Sequence, residues 1–207
     1  MLTVMLDRSI WDKMYKCLNL RYENLSASLE VYQKLDSLLK RKDVRCISFS
    51  IGEIEATKNR KFFIDEERWL KKKEEEYGYE IKTSTLHTND PDSFTNCRTC
   101  VTNKGNISIS PSEINKVMDK YNISKPNSKK FKNKRRDVHS LLIANKLGID
   151  IFICNDKDYK TDSQIQAFIK GEGIKVEIVQ LSDVISKIKE LEQKGNKKNR
   201  MIASAQY

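Results

Sequence analysis

Residues 137–159 read DVHSLLIANKLGIDIFICNDKDY, and the fold prediction starts from this stretch. Its first half carries apolar residues at helical spacing, which predicts an amphipathic helix that opens at Asp137 and ends at Gly148. The run IFIC at 151–154 is continuously apolar, as in a strand of a parallel sheet covered on both faces. Asp156 follows just beyond the carboxyl end of this strand, where open α/β sheets bind ligands. The stretch therefore predicts an α/β fold with a working acid at Asp156.

Two other strand candidates also end beside acids. Leu2–Leu6 is followed by Asp7, and VRCISFS at 44–50 is followed by Glu53 and Glu55. For a single aspartate, capping of the next helix or turn is the simpler interpretation. Carboxylates that meet at one sheet edge repel one another, however, and a divalent cation removes that repulsion. Ligands of this kind suit Mg²⁺ or Mn²⁺, and they indicate metal-assisted hydrolysis of a phosphodiester bond.

Four motifs, in their order along the chain, resemble the PIN-domain family of metal-dependent nucleases. They are LDRSIW after the first strand, SIGEIEA, DVHSLLIANKLG and IFICNDKDY. The resemblance implies a three-layer α/β fold, with a central, mainly parallel sheet flanked by helices and here a large insertion. It also implies an endoribonuclease that uses Mg²⁺ or Mn²⁺ to cut single-stranded RNA. Many members are toxins, so the resemblance further implies a small antitoxin-like protein and a second copy of the chain as partners.

The resemblance carries over residue by residue. Asp7 matches the acid that closes the first strand, and Ser9 is the hydroxyl residue that follows it by two. Glu53 matches the acid of the second motif and is preferred to Glu55 because small residues precede it. The implied metal ligands are Asp7, Glu53, Asp137, Asp156 and Asp158, of which the first four are also the catalytic residues, with Ser9 and Asn155 in support.

A basic run, KPNSKKFKNKRR at 125–136, immediately precedes Asp137. One interpretation is a solvated, mobile linker. The other is a loop beside the metal site that holds a nucleic-acid backbone while Phe131 stacks on an unpaired base. The nucleic-acid-binding candidates are Lys129, Lys130, Phe131, Lys132, Arg135 and Arg136. On the helix that follows, His139 is expected to face solvent or a loop, with no catalytic role.

Length and composition agree with a single domain. We assign residues 1–192 to it, with 60–136 as an enlarged helical and loop insertion and 193–207 as a basic, flexible tail. The net charge of +10 favours a polyanionic partner, although lysine-rich solubility explains the same excess. No apolar run approaches the ~20 residues of a membrane span, so we expect a cytoplasmic protein without membrane association. Five cysteines, an odd number, favour a reducing compartment.

The insertion carries two local signals. Cys97 and Cys100 form a CxxC pair in a predicted long loop, where short strands are expected at 79–83 and 107–109. A structural zinc site shows a second pair of ligands, which is missing here, so ordinary thiols come first and a reversible disulfide second. Further along, Ser110-Pro111-Ser112-Glu113 is a capping box that predicts the start of a helix.

Two functions from other classes stay open beside the ribonuclease. The first is a non-catalytic PIN-like module that binds nucleic acid or protein, its acids serving as structural caps. The second is a structure-selective DNA nuclease, since the same carboxylates serve both sugars. A reader of the 2′-hydroxyl would separate RNA from DNA, and the sequence does not identify one.

Overall fold

The structure is a computed structural model of the chain. It describes residues 1–19, 26–48, 65, 68–69, 72–73, 75–77, 82–84, 99–102, 105–106, 109–123, 130–191 and 193, so the predicted tail lies outside it apart from residue 193. The elements follow in this order: β1 (Leu2–Leu6), α1 (Arg8–Leu18), α2 (Ser26–Leu39), β2 (Val44–Ser48), β3 (Lys82–Ser84), β4 (Thr99–Thr102), β5 (Gly105–Asn106), α3 (Pro111–Lys120), α4 (Phe131–Lys146), β6 (Ile151–Cys154), α5 (Asp158–Thr161), α6 (Ser163–Gly171), β7 (Glu177–Gln180), a 3-10 turn (Leu181–Asp183) and α7 (184–191). In this described part of the chain, no helix has the length and apolar character needed to cross a membrane.

The central sheet has four strands, all parallel, in the order β2-β1-β6-β7. Its register aligns Leu6 of β1 with Ser48 of β2 and with Ile153 of β6, and it aligns Cys154 with Gln180 of β7. Parallel strands need crossover connections, which α1 and α2 supply between β1 and β2, and α5 and α6 between β6 and β7. The carboxyl ends of all four strands therefore lie at one edge.

Alternate strand residues enter two hydrophobic cores, one on each face of the sheet, because successive side chains of a strand point to opposite faces. Val4, Leu6 and Ile153 join the core formed with α1 and α2, whereas Met5 and Phe152 join the core formed with α3, α4 and α6. All four residues of the IFIC run are buried, since both faces of the strand are covered. The predicted α/β architecture, a parallel sheet flanked by helices, is confirmed.

Helix α4 ends where the sequence predicts and begins earlier. Gly148 has φ +64°, and the Ile149 N–H donates back across the last turn at 2.9 Å, so the helix closes in a Schellman motif. The first helical residue is Phe131. Asp137 therefore does not open the helix, and the prediction of a loop is wrong for residues 131–136. Lysine and arginine are good helix formers, which explains why the basic run continues the helix.

Helix α3, within the predicted insertion, has the predicted cap. Ser110 Oγ accepts a hydrogen bond from the Glu113 N–H at 3.1 Å, and a proline occupies the first helical position. Ile114 and Met118 are buried in the core that α3 shares with α4. This part of the 60–136 segment thus belongs to one of the layers that cover the sheet.

Other strand and helix boundaries in the structure differ from the predicted ones. The insertion carries an antiparallel sheet in the order β3-β4-β5, of which β3 overlaps the strand predicted at 79–83, while the one at 107–109 lies mostly outside the described residues. The sequence predicts the last strand at 175–179, and β7 occupies Glu177–Gln180, where its pairing with β6 fixes its ends. The sequence also predicts Ser182 as the cap of the last helix. Ser182 lies in the 3-10 turn, and its hydroxyl donates to the Asp183 carboxylate.

Candidate metal centre

Asp7 lies at the carboxyl end of β1 and caps α1. Its backbone N–H donates to the Ile153 carbonyl at 2.8 Å, which extends the β1–β6 pairing to this residue. Its carboxylate accepts hydrogen bonds from the Ser9 N–H at 3.1 Å and from the Ser9 hydroxyl at 2.5 Å. Both bonds reach the same oxygen, Oδ2, so helix capping is compatible with metal binding by the other oxygen.

Asp156 lies in the exposed turn between β6 and α5, next to Asn155, which is exposed as well. Asp156 Oδ1 accepts a hydrogen bond from the Asp158 N–H at 2.8 Å, which fixes the turn. The Asp156 carbonyl accepts from the side-chain amide of Gln180 at 2.8 Å, and Gln180 is the last residue of β7. The turn that presents Asp156 is therefore tied to the neighbouring strand.

Asp137 reaches the same edge of the sheet from α4. The Tyr159 hydroxyl donates to Asp137 Oδ1 at 3.1 Å. Tyr159 is only 2% exposed, and its ring packs edge-on against Phe152 with the two centroids 5.4 Å apart. This contact holds a carboxylate from the helical layer at the junction of β6 and α5.

The pKa of Asp137 depends on the negative charges of two other acids, Asp156 and Asp7. Burial, and next the negative charge of Asp156, raise the pKa of Asp137 to about 7. The charge of Asp7 acts in the same direction, whereas the Tyr159 hydrogen bond and the charge of Lys134 lower the pKa. Like charges that gather at one site produce this effect. We refer to Asp7, Asp137 and Asp156 as the acid cluster.

The same three negative charges also affect the pKa of Cys154, the last residue of β6. Burial raises the pKa of its thiol to about 12, and the charges of Asp7, Asp156 and Asp137 add to that rise. Its Sγ lies 3.8 Å from the Asp156 carbonyl oxygen. The acid cluster therefore surrounds the carboxyl end of β6, the position that the sequence predicts for working residues.

The acid cluster supplies oxygen donors, which are the ligands of hard cations such as Mg²⁺ and Mn²⁺. A cation would also relieve the repulsion that raises the pKa of Asp137. Within the described residues, no three His, Cys, Asp or Glu side chains are grouped tightly enough to hold an ion. The predicted fourth acid, Glu53, and its alternative Glu55 lie outside the described residues. The donor chemistry fits Mg²⁺ or Mn²⁺, and binding requires the carboxylates to draw closer together.

Asp158, the fifth ligand implied by the resemblance, forms an ion pair instead. Its carboxylate pairs with the ammonium group of Lys134, which also lies 2.9 Å from Asp162 Oδ2. Lys134 is 5% exposed; burial lowers its pKa, but the hydrogen bonds to the two aspartates leave that pKa raised. A carboxylate neutralised by lysine is a poor cation ligand. Asp158 therefore serves the contact between α4 and α5, and we leave it out of the proposed ligands.

The predicted nucleic-acid-binding residues differ in how exposed they are to solvent. Lys130 and Arg136 are exposed, at the start of α4 and beside Asp137. Phe131 is half-buried and packs against the core under α3 and α4, and stacking of its ring on a base stays a prediction. The remaining candidates are Lys132, on the first turn of α4, Arg135, half-buried on α4, and Lys129, outside the described residues.

His139 is buried, and the expectation that it faces solvent or a loop is wrong. It is 5% exposed, because α4 turns this position toward the protein interior. Burial, and next the positive charge of Arg135, lower the pKa of His139 to about 4. The imidazole is therefore neutral at pH 7, and we still assign it no catalytic role.

The CxxC pair remains a prediction. Cys100 lies on β4, whereas Cys97 lies outside the described residues. Three other cysteines, Cys17, Cys46 and Cys154, are buried free thiols.

Sequence reasoning missed three side chains that organise the site: Tyr159, Lys134 and Gln180. Lys134 stands in a basic run whose members look alike in the sequence, and Gln180 belongs to no motif. Tyr159 gave a partial signal, because an aromatic residue in a polar turn predicts burial of the ring. That signal does not identify the acceptor of its hydroxyl.

Comparisons of this chain with protein-family models, with curated proteins and with solved structures found no match. The function of the chain is therefore inferred from the acid cluster, from the parallel sheet that positions it and from the resemblance of the four motifs to PIN domains.

Proposed function

We propose that the chain is a divalent-metal-dependent endoribonuclease that hydrolyses phosphodiester bonds of single-stranded RNA. The observation that carries this proposal is the acid cluster at the carboxyl edge of an all-parallel sheet, where open α/β proteins bind their ligands. The order of the four PIN-like motifs supports the assignment. The net charge of +10 is consistent with a polyanionic substrate.

In this proposal Asp7, Asp137 and Asp156 hold Mg²⁺ or Mn²⁺, with Glu53 as the fourth acid. A bound ion of this class lowers the pKa of a water molecule and stabilises the charge that develops on the scissile phosphate. Ser9 fixes the carboxylate of Asp7 before any ion arrives. Asp137 would hold the ion as the carboxylate. Because burial and the charge of Asp156 raise its pKa to about 7, it would have to lose its proton to do so near neutral pH.

Two exposed cations of α4 support a nucleic-acid substrate. Lys130 is the N-cap residue of α4, and Arg136 lies on the helix next to Asp137. Contacts from such cations to phosphates fix the position of a nucleic-acid backbone without reading its bases. The choice of RNA over DNA comes from the family resemblance, so the test includes both.

The test is cleavage of an end-labelled single-stranded RNA, and of the DNA of the same sequence, in Mn²⁺, Mg²⁺ or EDTA. We expect RNA to be cut in either metal and not in EDTA. Asp7→Asn and Asp156→Asn should each lower the rate by roughly a hundredfold or more, because losing a ligand exceeds the 10–100-fold effect of outer-shell partners. Asp119→Asn is the matched control, since it removes one exposed carboxylate on α3 away from the site.

The other outcomes decide between the alternatives. Equal cutting by the native chain and by both site variants would assign the activity to a contaminant and overturn the proposal. RNA that is bound but not cut in any metal would identify a non-catalytic binding module. DNA cut as fast as RNA would mean that the site does not read the sugar.

A further inference from the structure

The hydroxyl of Tyr159 is placed with little freedom. The side chain is 2% exposed, and its ring packs edge-on against Phe152 of β6. The Tyr159 backbone is held as well, because its carbonyl accepts a hydrogen bond from the side-chain amide of Gln166. A phenylalanine would fill the same space with the same ring contact. The hydroxyl is therefore the part of this side chain that needs a separate explanation.

That hydroxyl donates to Asp137 Oδ1 at 3.1 Å. A buried tyrosine hydroxyl needs a hydrogen-bond partner, and this one is paired with a member of the acid cluster. A carboxylate oxygen can accept more than one bond, so the hydroxyl restrains Asp137 while the other oxygen, Oδ2, is left for a cation. Outer-shell donors orient metal ligands in the same way.

A second link joins the same two helices. Lys134 precedes Asp137 by about one turn of α4 and pairs with Asp158, the neighbour of Tyr159. Both links run from α4 to α5, so together they restrain Asp137 relative to α5. Asp156 lies in the exposed turn that leads into α5.

We propose that Tyr159 is a positioning residue of the metal centre: its hydroxyl fixes the Asp137 carboxylate in the acid cluster, so that Asp7 and Asp156 have only to close on it for an Mg²⁺ or Mn²⁺ ion to join the three. This inference depends on the proposed function for its metal but not for its RNA substrate. Tyr159 acts through Asp137 and does not itself touch the ion.

The test measures Mn²⁺ affinity of the full chain by the electron paramagnetic resonance signal of free Mn²⁺. Tyr159→Phe keeps the ring and removes the hydroxyl, and we expect its Kd to rise about tenfold. Tyr32→Phe is the matched control, because Tyr32 is also buried but lies in the opposite core, and its Kd should stay within roughly twofold of the native value. In an Asp137→Asn background, Tyr159→Phe should have no further effect, because the two residues act as one unit.

A purely structural tyrosine would give a different pattern. Tyr159→Phe would then lower the urea midpoint of unfolding and leave the Mn²⁺ Kd unchanged, which overturns the proposal. An equally large change of Kd in the Asp137→Asn background also overturns it, since Tyr159 would then act elsewhere.

A measurement without the variant covers the case in which Tyr159→Phe does not fold. With 3-fluorotyrosine at position 159, Mn²⁺ should broaden the fluorine resonance, and an unchanged signal would overturn the proposal. Failure of the proposed function is distinguishable: a native chain that binds Mn²⁺ but cuts no RNA loses the nuclease and keeps the role of Tyr159. A native chain that binds no Mn²⁺ overturns both.

Discussion

Replacing Asp137 by asparagine should make the stability of the metal-free protein less sensitive to pH. Burial and the charge of Asp156 raise the pKa of Asp137 from 3.8 to about 7, so the folded chain binds this proton more tightly than the unfolded chain does. The associated stabilisation is complete below the unfolded pKa and is lost as the pH rises to about 7. At ~1.4 kcal/mol for each pKa unit, the rise from 3.8 to about 7 corresponds to about 4 kcal/mol in the free energy of unfolding.

Over the pH range of the experiment, the expected change in the free energy of unfolding is smaller. Between pH 5 and pH 8 the native protein loses at most about 3 kcal/mol through this group. Water penetration and side-chain relaxation reduce that value, so we expect about 1 to 2 kcal/mol. Asparagine has nearly the same size as aspartate and can still accept the Tyr159 hydrogen bond, but it carries no charge. Asp137→Asn should therefore gain stability over the native chain by about 1 to 2 kcal/mol from pH 5 to pH 8.

Urea unfolding in EDTA measures this difference, followed by the fluorescence of the two buried tryptophans, Trp11 and Trp69. At pH 8, Mn²⁺ at a hundred times the native Kd should restore about 2.7 kcal/mol to the native chain and much less to Asp137→Asn, which keeps Asp7 and Asp156 but lacks one ligand. Asp119→Asn removes the same charge from an exposed position and should follow the native profile. A gap between the native chain and Asp137→Asn that stays constant from pH 5 to pH 8 would refute the reasoning, because it would mean that Asp137 is not buried among like charges.

Two further predictions concern the helices around the site. Ser110→Ala removes the side-chain acceptor of the Glu113 N–H and should lower the free energy of unfolding by about 1 kcal/mol, measured in urea, with RNA cleavage unchanged once folding is matched. Neutralising Lys130 and Arg136 together should reduce the slope of log K against log salt for RNA binding by roughly 1 to 2, as expected for two phosphate contacts. A slope equal to that of the native chain would exclude these two cations from the RNA interface.

Features that depend on neighbouring residues alone can be predicted from the amino-acid sequence. The apolar IFIC run predicts a strand covered on both faces, and all four residues are buried. Gly148 predicts the end of α4, because glycine adopts the positive φ that the helix terminus needs. Ser110 predicts the start of α3 for an equally local reason. Three strand ends followed by acids predict an acidic edge of the sheet, and Asp7 and Asp156 lie at the ends of β1 and β6.

The positions of the acids depend on the packing of elements that are far apart in the sequence. Lys134 looks like its basic neighbours in the sequence, yet packing of α4 against α5 buries it between Asp158 and Asp162. The same packing pairs the Tyr159 hydroxyl with Asp137 and buries that carboxylate beside Asp156. The physical reason is that burial and charge repulsion depend on distances between segments far apart in the chain. Local propensity and spacing carry no information about those distances.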